Sequence, residues 1–160
     1  MAKKKVDGRF LKISREHEII NKYLQSFQEI IDQGMLADTF SVVTDQMKTF
    51  RQDIENHFEV EELFLFPTAL LCIPSVPMID LILRLQKEHG MFLKDVERIE
   101  ELVRSQPEGD KQIHELLFTM IENFTGLMEQ HARDEMNDLF PQLDDNKRAQ
   151  EIIKDYTESP

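Results

Sequence analysis

Tryptophan is absent from the 160 residues, cysteine occurs once, and glycine and proline number only five and six. A single thiol, Cys72, rules out an intrachain disulfide, and a reducing compartment is the expectation that follows. Basic residues are also in short supply, with 19 Lys and Arg against 31 Asp and Glu and a formal net charge of −12. Phosphate binding needs a basic face, so nucleic acid is not an expected partner. The one basic run, Lys3-Lys4-Lys5, reads as part of a solvated tail over residues 1–9. No apolar run approaches the roughly 20 residues that span a bilayer. The opening MAKKKVDGRF lacks the apolar stretch of a signal peptide. A cytoplasmic protein without a membrane partner is therefore expected.

Against those absences, apolar residues make up 41% and charged residues 31%, the balance of an ordered globular domain rather than a disordered chain. Breakers cluster at three corners: Gly34 to Asp38, Ile73-Pro74-Ser75-Val76-Pro77, and Pro107-Glu108-Gly109-Asp110. Asp38, Ser75 and Asp110 are placed to cap the helices that follow.

Between the corners, apolar residues recur at alternating steps of three and four. The seams are Ile13, His17, Ile20, Leu24, Phe27, Ile31; then Phe40, Val43, Met47, Phe50, Ile54, His57, Glu61, Phe64. The third is Ile82, Leu85, His89, Phe92, Val96, Ile99, Val103, and the fourth is His114, Leu117, Ile121, Phe124, Met128, His131, Glu135, with Leu139 one register later. Helices packed at small crossing angles need such seams, and short connections make neighbours antiparallel. The expectation is an all-α protein: an up-down-up-down four-helix bundle over residues 10–143, then a short C-terminal helix and tail over 144–160. Pro67 and Pro141 fall late in the second and fourth helices, where each should kink or end its helix.

Polar residues interrupt these seams, and burying them without partners is costly. Their heights along the bundle can be compared. Residues on antiparallel neighbours share a level when the turn lies midway between them. His17 and His57 have their midpoint at 37, His57 and His89 at 73, and His89 and His131 at 110, each inside a corner. Four imidazoles, one per helix, thus lie in one layer. Glu61 and Glu135 follow His57 and His131 by four residues, on the same helix face and about one turn (~5.4 Å) away.

The chain also repeats itself. Glu16-His17 recurs as Glu88-His89, 72 residues on, and His57-x-x-x-Glu61-x-x-x-Leu65-Phe66-Pro67 recurs as His131-x-x-x-Glu135-x-x-x-Leu139-Phe140-Pro141, 74 residues on. Each half supplies two histidines and one carboxylate, so the internal two-fold repeat implies two equivalent metal positions. A lone buried histidine is more often a satisfied core residue, and a lone His-x-x-x-Glu is often only an i,i+4 pair. Six such residues, level and duplicated, point instead to a dinuclear centre held by His17, His57, Glu61, His89, His131 and Glu135. His114 lies 17 residues before His131, or ~25 Å along the helix rise, and is not expected to ligate.

Nitrogen and carboxylate ligands without thiolate suit iron, manganese or zinc. Two metals under bridging carboxylates stand ~3.5–4 Å apart, and Glu61 and Glu135 are the bridges to expect. Glu62 lies one residue off the seam and reads as an outer or surface carboxylate; Glu16 and Glu88 could accept imidazole N–H groups or face solvent. Phe50, Phe124, Met128, Ile20, Phe92, Leu65 and Leu139 flank the layer as core and as a dry shell; Cys72 reads as a small hydrophobe.

The run His57-Phe58-x-x-Glu61-Glu62-x-x-Leu65-Phe66-Pro67, its echo from His131 to Pro141, and the single histidines at 17 and 89 resemble the hemerythrin-like, or HHE cation-binding, domain across about residues 10 to 143. The resemblance implies two non-haem iron ions with an oxo or hydroxo bridge, four terminal histidines, and Glu61 and Glu135 spanning the irons. It departs from the oxygen carriers of that family, which have a further histidine where this chain has Leu93 and an aspartate where it has Met136. The pattern is closer to the bacterial repair-of-iron-centres proteins and to the iron- and oxygen-responsive hemerythrin domain of an animal ubiquitin ligase. It lacks the cysteine-bearing domain of the former and the ligase module of the latter, so a stand-alone domain is expected.

Two functions follow. One is a binding or sensing protein whose di-iron pair takes oxygen, nitric oxide or iron itself. The other is an oxidoreductase that turns over peroxide, nitric oxide or ferrous iron, or donates iron for cluster repair. The absence of a dedicated proton-transfer residue on the seams favours binding. A phosphotransfer bundle would need an exposed histidine, whereas these four sit on buried seams.

Overall fold

The computed structural model describes residues 11–33, 39–105 and 111–158. The elements are α1 (Leu11–Gln33), α2 (Thr39–Val60), α3 (Phe66–Cys72), α4 (Val76–Ser105), α5 (Lys111–Asp134), α6 (Phe140–Asp144) and α7 (Lys147–Glu158). Widened π turns at Glu61–Leu65 and Glu135–Leu139 join α2 to α3 and α5 to α6. Only 73–75 and 145–146 lie outside helices among the described residues, and no strand occurs among them. The protein is all-helical.

The basic 1–9 tail, the corners at Gly34 to Asp38 and Pro107 to Asp110, and the expected caps Asp38 and Asp110 lie outside the described residues. So do the side chains of Ile13, Glu16, Ile31, Phe40 and His114. Ser75 does cap its helix: the Met78 N–H donates to Ser75 Oγ at 3.2 Å, satisfying a donor that the first turn of α4 would leave unpaired.

Four long helices enclose the core. α1 packs on α2 and α5, and α4 packs on α2 and α5, which closes the ring. Side-chain pairs give the local direction. Tyr23 meets Asp53 and Ser26 meets Gln46, so partner numbers fall along α2 as they rise along α1. Arg51 meets Glu100 while Glu62 meets His89, the same relation between α2 and α4. Arg84 meets Asp134 and Phe92 meets Phe124 between α4 and α5.

Nearly every described seam residue is buried, because period-3.6 spacing leaves each helix a single apolar stripe and the ring gives each stripe one interior to face. The core has two parts. The larger contains Phe27, Phe50, Phe92 and Phe124 with Val43, Met47, Ile54, Val96, Ile99 and Ile121. The smaller gathers Leu65, Phe66, Met78, Ile82, Leu85, Leu139 and Leu143 with Ala149 and Ile153 of α7. α7 packs on α3 and α6, and the Tyr156 ring stacks on Phe64 at 4.0 Å.

That last contact corrects one expectation. Phe64 is not a fully buried seam residue but only partly so, and Leu65 takes the interior seat at 0% exposure. The cause is the π turn, in which Phe66 N–H bonds back five residues to the Glu61 carbonyl, as Phe140 N–H does to Glu135. An extra residue per turn moves the inward position one place along the chain. The same turns explain Pro67 and Pro141. Neither ends its helix: α3 and α6 carry each proline at the start and continue past it. Proline removes one N–H and crowds the carbonyl four residues back; a wider turn just ahead of it takes up that misfit.

Candidate metal centre

Each imidazole comes from one of the four long helices and each carboxylate opens a π turn. His17 lies on α1, His57 near the end of α2, His89 in α4 and His131 in the last turn of α5. Glu61 and Glu135 are the first residues of the two π turns. The six side chains expected from sequence meet in one layer, as the midpoint argument requires. His57, Glu61, His89, His131 and Glu135 are buried, while the His17 side chain retains 12% exposure at the edge.

The Nε2 atoms converge on the two carboxylates. His57 Nε2 stands 2.6 Å from Glu61 Oε1 and His89 Nε2 stands 2.8 Å from Glu61 Oε2. His131 Nε2 is 2.6 Å from Glu135 Oε1, and His17 Nε2 is 3.5 Å from Glu135 Oε2 and 3.7 Å from Glu61 Oε1. His89 Nε2 and His131 Nε2 face each other at 3.2 Å. Two sets of ligand atoms result, each within 4.8 Å: His17, His57, Glu61 and Glu135, and Glu61, His89, His131 and Glu135. Each set has two histidines, and both share both carboxylates.

The unmet polar atoms test whether this cluster fits a metal. Both oxygens of Glu61, both of Glu135 and the Nε2 of His17 are buried without a hydrogen bond, although ring nitrogens lie close by. Atoms near in distance yet lacking hydrogen-bond angles are poorly satisfied by one another, and an interior with several such groups is costly. Lone pairs aimed at a common space between rings and carboxylates are what cations take. The donor set, imidazole nitrogen with carboxylate oxygen, suits iron, manganese or zinc.

The electrostatics agree. Burial acts to lower the His131 pKa, but the Glu135 and Glu61 carboxylates outweigh it and push it up to about 10. His17 is likewise raised: burial opposes its charge, and Glu135 and Glu61 more than offset that. Glu61 is held well below the usual carboxylate range; burial works to raise it, and His57 with the other neighbours prevails. Opposite charge is what makes this interior tolerable.

Around the histidine–glutamate layer the side chains are aromatic. The His89 ring stacks with Phe58 at 3.8 Å and 10° and with Phe66 at 5.4 Å and 20°. Phe92 meets His131 edge-on at 5.3 Å, and Phe140 meets His17 at 5.5 Å. Phe50, Phe124, Met128, Ile20, Phe92, Leu65 and Leu139 are all buried, as expected of the dry shell. The part played by Phe58 and Phe66 against His89 was not legible from the seams, since both are off-stripe; their place beside His57 and Glu61 in the duplicated motif was the available signal.

Two of the outer carboxylates are now located. Glu62 Oε1 accepts a hydrogen bond from His89 Nδ1 at 3.0 Å. Glu88, next to His89 in the chain, approaches His131 Nδ1 at 3.6 Å rather than its neighbour's ring. Cys72 is partly buried, and its carbonyl accepts from Asn146.

Fold and site together define a helical-bundle protein with an interior histidine–glutamate cluster of the composition that takes cations. A family model described as the hemerythrin HHE cation binding domain matches residues 10–143, and the chain belongs to that family. No curated protein and no solved structure matches the chain. No helix among the described residues is long and apolar enough to cross a membrane.

Proposed function

We propose that the chain is a non-haem di-iron protein that binds or senses oxygen, nitric oxide or iron at a His4Glu2 centre in an up-down-up-down bundle over residues 10–143. One observation carries this reading: two sets of two histidines share the same two buried, unbonded carboxylates, Glu61 and Glu135. One cation per set, with both glutamates spanning the pair, would give every one of those oxygens a partner. His17 and His57 would complete one position and His89 and His131 the other.

Bound iron would supply Lewis acidity, one-electron redox capacity and open positions for a diatomic molecule. The chain's own residues do the rest. Phe58, Phe66 and Phe92 exclude water from the His89 and His131 side, while His17, the most exposed of the described histidines in the cluster, marks the side on which a small molecule can approach. Without metal, protons on His17 and His131, whose pKa values are raised, offset the carboxylate charge, so loading releases protons. The duplicated ligand set, with four histidines and Leu93 in α4, fits the repair-of-iron-centres and iron-sensing members of the family better than the oxygen carriers. A cytoplasmic setting suits the free thiol of Cys72, and the acidic surface favours no nucleic acid.

The alternative is an oxidoreductase on the same centre. It differs from the binding reading in turnover, so the deciding experiment is metal analysis of protein purified without chelators, followed by anaerobic titration with oxygen or nitric oxide. A stable adduct saturating at or below two equivalents per chain supports binding. Consumption well beyond two equivalents supports the enzyme. Folded protein that takes up no metal removes both.

A further inference from the structure

The two halves of the cluster are not equivalent on their outer side. His89 is held at both ring nitrogens: Nε2 points into the layer, 2.8 Å from Glu61 Oε2, and Nδ1 is 3.0 Å from Glu62 Oε1. A carboxylate can only accept, so Nδ1 carries the proton of this bond, which leaves Nε2 as the nitrogen that can offer a lone pair to a cation in the layer. Phe58 and Phe66, both stacked against the ring, restrict the imidazole from swinging away. His89, Glu62 and the intervening proton thus form a carboxylate–imidazole pair aimed at one of the two metal positions.

The repeat does not reproduce this pair. Shifted by 74 residues, Glu62 falls on Met136, which is 59% exposed and whose side chain has no oxygen to accept an imidazole N–H. The histidine that stands to His89 as one half stands to the other is His17. A carboxylate behind an imidazole fixes its tautomer and makes it a more basic ligand, and removing such a partner typically lowers metal affinity by ~10–100-fold.

We propose that Glu62 is a positioning residue that breaks the two-fold symmetry and makes the His89–His131 position the tighter of the two. This inference rests on the two-metal reading above. Cations would then load in order, first beside His89 and then beside His17, and the weaker position would be the one on the more open side of the layer.

The test is anaerobic titration of the chelator-treated chain with ferrous ion, and in parallel with cobaltous ion for its absorption bands. Glu62→Met installs the side chain of the other half, Glu62→Gln keeps an oxygen without charge, and Glu59→Gln removes a charge from an exposed position of α2. Wild type should bind two ions in two resolved steps. Glu62→Met should weaken the tighter step by at least ~10-fold and leave the weaker step within ~3-fold, with Glu62→Gln in between and Glu59→Gln unchanged. Two unresolved, equal steps in wild type, equal weakening of both steps in Glu62→Met, or no change in either would overturn the proposal. A wild-type chain that binds no metal would instead overturn the di-iron reading itself, so the two failures are distinguishable.

Discussion

Replacing His89 by alanine removes a side chain engaged at both ring nitrogens and stacked by aromatic rings. The residue is 1% exposed, and its ring is stacked by Phe58 at 3.8 Å and lies within 2.8–3.2 Å of Glu61, Glu62 and His131. Truncating a buried aromatic ring to alanine costs ~3–5 kcal/mol through lost contacts and the cavity left behind. Taking the only partner from a buried carboxylate costs a similar ~3–5 kcal/mol, an upper bound here because Glu61 keeps His57 at 2.6 Å. The two overlap, since the same atoms are removed, and do not add. A loss of about 4 kcal/mol in the metal-free chain is the expected outcome, a large part of the ~5–15 kcal/mol that typical domains possess. At a urea dependence of ~2 kcal/mol/M this moves the unfolding midpoint down by about 2 M. Metal widens the gap, because a cation present at 100-fold over its dissociation constant stabilises by ~2.7 kcal/mol and the variant forfeits one position. Helical circular dichroism during urea unfolding, in chelator and in ferrous ion, reads both numbers, and metal analysis should show at most one ion per chain. His114→Ala, 17 residues before His131 on α5, should keep two. If His89→Ala unfolded with the wild-type midpoint in both conditions and still held two ions, the convergence of this layer on metal would be refuted.

Glu61→Gln and Glu135→Gln should each lower occupancy of both positions together, since each carboxylate belongs to both sets, whereas His17→Ala should affect one; metal stoichiometry by mass spectrometry separates the cases. In chelator, stability should fall with alkaline pH. His131 is raised to about 10 from an ordinary 6.5, so its contribution is complete below about 6.5 and declines toward 10, by up to about 1.4 kcal/mol per pH unit. Glu61, depressed in the folded state, contributes above its ordinary 4.5 and loses that contribution in acid, which places the maximum between these limits; a midpoint that climbs from pH 7 to 10 contradicts the charge pattern. Ile153→Ala, at 0% exposure on α7 and beyond the family match, should destabilise by ~2–5 kcal/mol in thermal or urea unfolding, whereas a neutral effect would mean α7 is not part of the cooperative unit.

Much of this molecule was legible in one dimension. Four apolar stripes with steps of three and four, separated by clustered breakers, specify helices whose buried faces are known before any packing is seen. The midpoints at 37, 73 and 110 bring His17, His57, His89 and His131 to one height because helix rise is uniform, and Glu61 and Glu135 follow by the i,i+4 rule. What sequence could not decide depends on departures from that uniformity and on distances across helices. The π turns at Glu61 and Glu135 add a residue to one turn each, which moved the interior seat from Phe64 to Leu65 and let both helices run through Pro67 and Pro141. The consecutive four-residue steps 131, 135, 139 hinted at this, but a single offset can also mark a stripe that simply ends. The partners of Glu62 and Glu88 lie on neighbouring helices, 27 and 43 residues away. Helical periodicity says which face a residue takes, not which atom on the next helix it reaches; that is decided only when the four helices are packed and their side chains compete for the same space.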